Sequence, residues 1–129
     1  MAAPAIATGY GGRLTVDLGA LKRGSWGAEA MQGFEPASGD VALVHTCNNA
    51  FHRTGLEDLL SEHAVSHVAV AGLATQYSVE HTVRHVADLG YPITMVRDCC
   101  GSANAAAAEA SFAAMALLAD VKDIGEMDF

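Results

Sequence analysis

Three polar side chains stand where this sequence could do chemistry: Ser78, His45 and Asp98. Ser78 lies within Gly72-Leu-Ala-Thr-Gln-Tyr-Ser-Val-Glu-His-Thr82, where an apolar run ending at Ala71 gives way to an amphipathic stretch from Tyr77 to Leu89. A tight strand-to-helix turn of this kind holds a small polar side chain beside unpaired backbone N–H groups, which carry partial positive charge. An acyl-transfer enzyme keeps a nucleophile and its oxyanion hole in such a place. A serine hydroxyl needs an adjacent base to act near neutral pH. His45 is the candidate base and Asp17 or Asp98 a candidate to orient it, an arrangement that recurs on unrelated folds. Each residue also has a structural reading. Serine is a strong helix N-cap. A histidine closing a buried strand is commonly a hydrogen-bonded structural group. An aspartate at a strand end commonly accepts from a turn or helix N–H. Trp26 and Phe51 supply apolar cover for a pocket, and Leu73, Ala74 and Tyr77 line it from the turn itself.

Cysteine and histidine offer other chemistry. Cys47 and Cys99 fall just past expected strand ends, where either is a relocated nucleophile or, by default, a small buried hydrophobe. His81 and His85 are spaced i, i+4 with Asp88 one turn on, a pattern that can ligate a transition metal. They lie opposite the apolar stripe of their helix, beside Glu80 and Arg84, so a solvated face is the expectation. No metal and no cofactor is called for. His63 and His67 flank a helix-to-strand turn and read as surface residues.

The elements that must position these groups follow from periodicity. Val41–Val44, after the turn signal Ser38-Gly-Asp40, reads as a short buried strand ending at His45. Thr54-Gly-Leu-Glu57 reads as a capping box that opens a helix with Leu56, Leu59, Leu60 and Ala64 on one face. A strand over 67–72 leads to a helix over 77–89 with Val79, Thr82, Val83 and Val86 inward, ended by Gly90. A strand over 92–97 follows, then an alanine-rich helix capped by Ser102 or Asn104 and reaching about Ala119, a packed cover or oligomer face. A last strand or turn falls at 121–124. A short helical turn is expected at 27–32. Short apolar runs alternating with helices imply βαβ units and a parallel sheet. The carboxyl ends of parallel strands share one edge, where α/β sites form, and His45, Ser78 and Asp98 all fall there.

Composition sets the outer bounds. At 129 residues, with 51% apolar and 17% charged residues, the chain is a single globular domain rather than a disordered one. The net charge of −8, with seven Lys plus Arg, argues against nucleic acid and anionic membranes as partners. The apolar runs fall short of a bilayer span. The Ala/Gly-rich start, residues 1–12, reads as a flexible lead-in without the basic flank of a signal peptide, followed by one domain over 13–129. Three cysteines cannot all pair, and Cys99 and Cys100 are adjacent, so a reduced, cytoplasmic protein is expected.

Six motifs occur in order: Ser25-Trp-Gly-Ala-Glu29, Phe34-x-Pro-x-x-Gly-Asp40, Asn49-Ala-Phe-x-x-Thr-x-Leu56, Gly72-Leu-Ala-Thr-Gln-Tyr-Ser-Val-x-x-Thr82, Gly90-Tyr91 and Val96-x-Asp98. Together they resemble the isochorismatase-like cysteine hydrolase superfamily from about Gly24 onward. The resemblance implies a Rossmann-like three-layer α/β fold with a parallel sheet, here N-terminally shortened, and a cis peptide at Leu73–Ala74. It implies hydrolysis of amides or of a vinyl ether by a Cys nucleophile, an Asp base and a Lys. In this sequence the Cys position is Ser78 and the Lys position is His45. Leu14-Thr-Val-Asp17-Leu-Gly either imitates the family's first strand, with Asp17 as the acid, or is the irregular segment before the Gly-Ala-Glu stretch. The family's Asp-x-His-x-His metal cluster is absent from the sequence. The favoured expectation is a degenerate member, a pseudoenzyme that binds a small carbonyl or carboxylate compound or acts as a subunit. The alternative is an active hydrolase of an amide, ester or vinyl ether, with Ser78, His45 and Asp17 as its catalytic set. A sheet lacking its usual central strand exposes apolar surface and an unpaired edge, so a homo-oligomer or a partner chain completing the sheet is expected.

Overall fold

The computed structural model describes residues 21–128; the lead-in at 1–12 and Asp17 lie outside them. Three parallel strands form one sheet in the order β1-β2-β3, with β1 at Val68–Leu73, β2 at Ile93–Gly101 and β3 at Asp120–Lys122. Helix α1 (Leu56–Glu62) precedes β1, α2 (Glu80–Asp88) joins β1 to β2, and α3 (Ala105–Met115) joins β2 to β3. The α/β class and the parallel pairing expected from the alternating runs are both present.

Helix α2 forms because Val79, Val83 and Val86 recur at helical spacing and all three are buried. Each contributes about 1.5–3 kcal/mol relative to exposure. Gly90, at φ +84°, ends the helix in a left-handed conformation that a side chain would resist. Helix α3 starts at Asn104, whose side chain accepts from the Ala107 N–H at 3.0 Å, and it buries Ser111, Phe112 and Met115. These helices pack against Val70 and Met95 of the strands in one apolar cluster, on which Leu56 and Leu60 of α1 also rest. Both crossover helices therefore cover the same face of the sheet. The opposite face of β1 presents Ala69, Ala71 and Leu73 exposed, and beyond β1 no further strand pairs among the described residues.

Four local expectations are corrected. Val41–Val44 is not a buried strand: Val41, Leu43 and Val44 are exposed and the segment joins no ladder. An apolar run becomes a strand only where a neighbour accepts its backbone hydrogen bonds. Thr54 forms no capping box; Gly55 is the N-cap of α1, and the Thr54 hydroxyl donates to the Ala50 carbonyl at 2.7 Å. Strand β2 runs on to Gly101 because the register shifts past Val70–Met95 and pairing resumes at Gly72–Cys100. Asp98 and Cys99 thus sit within β2 rather than after it. The early helical turn is a 3-10 turn at Trp26–Ala28, slightly before its expected place.

Candidate functional site

The edge at the carboxyl end of β1 is built around one turn. The Leu73–Ala74 peptide bond is cis, and Thr75–Val79 forms a single π-helical turn that runs into α2. Such turns concentrate at functional sites. The Ala74 carbonyl accepts from the Tyr77 N–H at 3.0 Å and the Val79 N–H at 3.4 Å. Thr75 is fully buried and its hydroxyl donates to the Gly101 carbonyl at 3.0 Å, which fastens the turn to the end of β2. The Leu73 side chain occupies the space that a Cβ on Gly101 would need.

Ser78 lies inside the π turn, half-buried. It caps neither helical segment: Ala74 precedes the π turn and Val79 precedes α2. Among the described residues no hydrogen bond reaches its hydroxyl. Spacing places Ser78 four residues before Thr82 and seven before His85, on the side of α2 that carries both. That side holds the 49–54 loop. The Thr82 hydroxyl accepts from the Ala50 N–H at 3.2 Å, Asn49 Nδ2 donates to His85 Nδ1 at 3.0 Å, and Phe51 stacks on the His85 ring with centroids 4.6 Å apart.

His45 is exposed, and its Nδ1–H donates to the carbonyl of Cys47. In the neutral ring this leaves Nε2 unprotonated and fixed in direction, the form a general base needs. No hydrogen bond joins His45 to Ser78 or Asp98 among the described residues. Asp98 accepts from the Ile124 N–H at 2.9 Å and so tethers the C-terminal 3-10 turn at Ile124–Glu126. Trp26 is 90% exposed and Tyr77 52%, Leu73 lies open at the edge, and Phe51 is buried in the apolar cluster. Ala74 is half-buried at the turn.

The described cysteines are free thiols. Loss of hydration and the neighbouring Asp98 carboxylate push the Cys99 thiol up. Burial likewise raises Cys100, against a lowering hydrogen bond from the Gly72 backbone. Higher values mean less thiolate, so neither is an activated nucleophile. The described residues hold no cluster of three metal-ligating side chains. His85 is not on a solvated face but half-buried against Phe51 and Asn49, while His81 Nδ1 bonds its own helix at the Tyr77 carbonyl. Two open hollows, of about 320 and 360 Å³, lie at the opposite edge near Tyr91 and His67, away from Ser78.

Sequence reading missed the Asn49–His85 and Ala50–Thr82 contacts and the buried side-chain Oε1 of Gln76 in the π turn, which has no partner among the described residues. The recurrence of Ser78, Thr82 and His85 at helical spacing is the signal that could have found the former.

A sequence profile of the isochorismatase domain matches residues 12–126. The chain belongs to the isochorismatase family. Ureidoacrylate amidohydrolase RutB of Caulobacter segnis is 32% identical to it over 78 residues, 60% of this chain and 33% of that protein. The nicotinamidase of Escherichia coli is 37% identical over 57 residues, 44% of this chain and 27% of that enzyme. The family member thus spans about a third of the length of these curated relatives. An isochorismatase family protein from Desulfovibrio vulgaris superposes with a TM-score of 0.83 at 27% identity, covering 96% of this chain and 68% of its own. The shared fold is therefore the family's α/β architecture. No helix among the described residues is long and apolar enough to cross a membrane.

Proposed function

We propose that this isochorismatase-family chain binds a small carbonyl or carboxylate compound at the Ser78–His45 edge and lacks thiol-dependent hydrolysis. The observation that carries this reading is the state of Ser78: an alcohol at the position of the family nucleophile, with no described base bonded to it. A serine without an adjacent base is a poor nucleophile at neutral pH. Its hydroxyl and the turn's N–H groups remain suited to a carbonyl oxygen. Leu73, Ala74 and Tyr77 then line the compound, and Trp26, Phe51 and Asp98 belong to the wider surround.

One observation favours a second reading, a Ser78–His45 hydrolase with Asp17 as the acid. The Cys47 carbonyl holds the His45 ring through Nδ1–H, which leaves Nε2 of the neutral ring unprotonated. The two readings part in a turnover assay on amides, esters and a vinyl ether, using wild type, Ser78→Ala and His45→Ala. The names of the two curated relatives make an unsaturated ureido acid and nicotinamide the first probes. Binding without turnover supports the first reading. Turnover removed by either substitution supports the second, since such groups contribute on the order of 10²–10⁴-fold.

The β1 edge, on which no further strand pairs among the described residues, and the exposed Ala69, Ala71 and Leu73 support assembly with a second copy, since parallel sheets are ordinarily buried on both faces. Light scattering at micromolar concentration is expected to give a mass above one chain; a stable folded monomer would count against assembly. Free thiols fit a reducing, cytoplasmic setting.

A further inference from the structure

We propose that Asn49 and His85 are positioning residues that latch the loop bearing His45 to the helix that begins beside Ser78. The inference rests on the reading that Ser78 and His45 share one site. Asn49 uses both ends of its amide. Its Oδ1 accepts from the Phe51 N–H at 2.9 Å and its Nδ2 donates to His85 Nδ1 at 3.0 Å. The first bond fixes which end of the amide faces His85. A flip would set Nδ2 against the Phe51 N–H, donor against donor. With Nδ2 facing it, His85 Nδ1 is bare, so the neutral ring carries its proton on Nε2. The Phe51 ring lies against the same imidazole at an interplanar angle of 17°, and the Ala50 N–H is held by Thr82. Three consecutive residues, 49–51, are therefore bound to one side of α2.

The loop passes the constraint back along the chain. Cys47, two residues before Asn49, supplies the carbonyl that orients the His45 ring. Ser78 precedes the same helix on the side that carries Thr82 and His85. One rigid element thus sets both the serine and the loop that aims the histidine. Residues 49–51 are the part of this loop that the described hydrogen bonds tie to α2, so loss of the latch frees the angle between His45 Nε2 and the Ser78 edge.

The test uses the full chain, labelled with ¹⁵N, as wild type, Asn49→Ala, His85→Ala and His85→Gln. The glutamine keeps an acceptor for Asn49 without an imidazole. Amide exchange of Ala50 and Phe51 is followed together with the ¹⁵N shifts of the His45 ring. Met95 and Val96 amides in β2 report whether the core is intact. The expected result is about tenfold faster exchange at Ala50 and Phe51 in both alanine variants, the size of one net hydrogen bond. The distinct Nδ1–H signature of His45 should collapse toward averaged tautomers while β2 protection is unchanged, and His85→Gln should recover both signals. Unchanged exchange and an unchanged His45 signature in both alanine variants would overturn the latch, as would a His85→Gln variant indistinguishable from His85→Ala. A loss of β2 protection equal to that of the loop would also overturn it, by making His85 a general packing residue. These readouts need no turnover. The latch can therefore fail while the Ser78–His45 reading stands, and that reading can fail in the turnover assay while the latch holds.

Discussion

Val41, Leu43 and Val44 in the first half of the chain are as apolar as Val68 and Val70 in the second, yet they reach opposite ends. The first three are exposed and unpaired; Val70 is buried and both later valines stand in a strand paired to β2. The difference lies in the neighbours. β1 has β2 on one side and α2 above it, so its backbone is paired along that side and Val70 is covered. The earlier run has no adjacent strand among the described residues. Hydrophobic patterning names a segment that prefers burial, and the ladder decides whether burial happens.

Substitutions can break this comparison. Met95 is fully buried at the centre of the apolar cluster, so Met95→Ala should destabilise by about 2–5 kcal/mol in denaturant unfolding. Val44→Ala should stay within about 0.5 kcal/mol. Equal losses at the two sites would mean that the early run is packed in solution and that the contrast is false.

A smaller effect tests whether the second half owes its order to local signals as well as burial. Asn104 caps α3, and Asn104→Ala should lower stability by about 1 kcal/mol, read as a shift of the same transition. An unchanged midpoint would show that the alanine-rich helix is held by packing alone.

The smallest expected effect is one of pH. The Cys100 thiol is raised by burial, so the native state holds its proton more tightly than the unfolded chain does. Its contribution is complete below the unfolded thiol's pKa and is lost as pH rises through the higher folded value. Stability should therefore decline on the alkaline side, and Cys100→Ser should flatten that decline. A wild-type curve with the same alkaline slope as the variant would remove the thiol from the account.

What the sequence made legible follows the same division. Strands near 67–72 and 92–97 and the helix after Ser78 were readable because valines and isoleucine recur at the right period between Gly and Pro. The cis bond at Leu73–Ala74 was readable only through resemblance, and it is present. The extension of β2 through Asp98 and Cys99 was not readable, because Arg97, Asp98 and Cys99 are exposed and carry no apolar alternation. Thr54 looked like a cap and instead bonds back to Ala50, because Gly55 takes the N-cap position. The partnership of Asn49 with His85 spans 36 residues and depends on how two elements dock, which periodicity does not encode. At the site, the position of Ser78 beside a strand end was legible. Its place inside a π turn rather than at a cap was not, since that turns on one extra residue in a helical ring.

The central question at this edge is whether Ser78 recognises a ligand or attacks one. The direct measurement is calorimetric titration of wild type, Ser78→Ala and His45→Ala with an amide and its matching carboxylate, each mixture then assayed for product. Saturable binding by the wild type, weakened in both variants and with the amide recovered intact, is the predicted result. Release of carboxylate and ammonia by the wild type, abolished in Ser78→Ala, would contradict it.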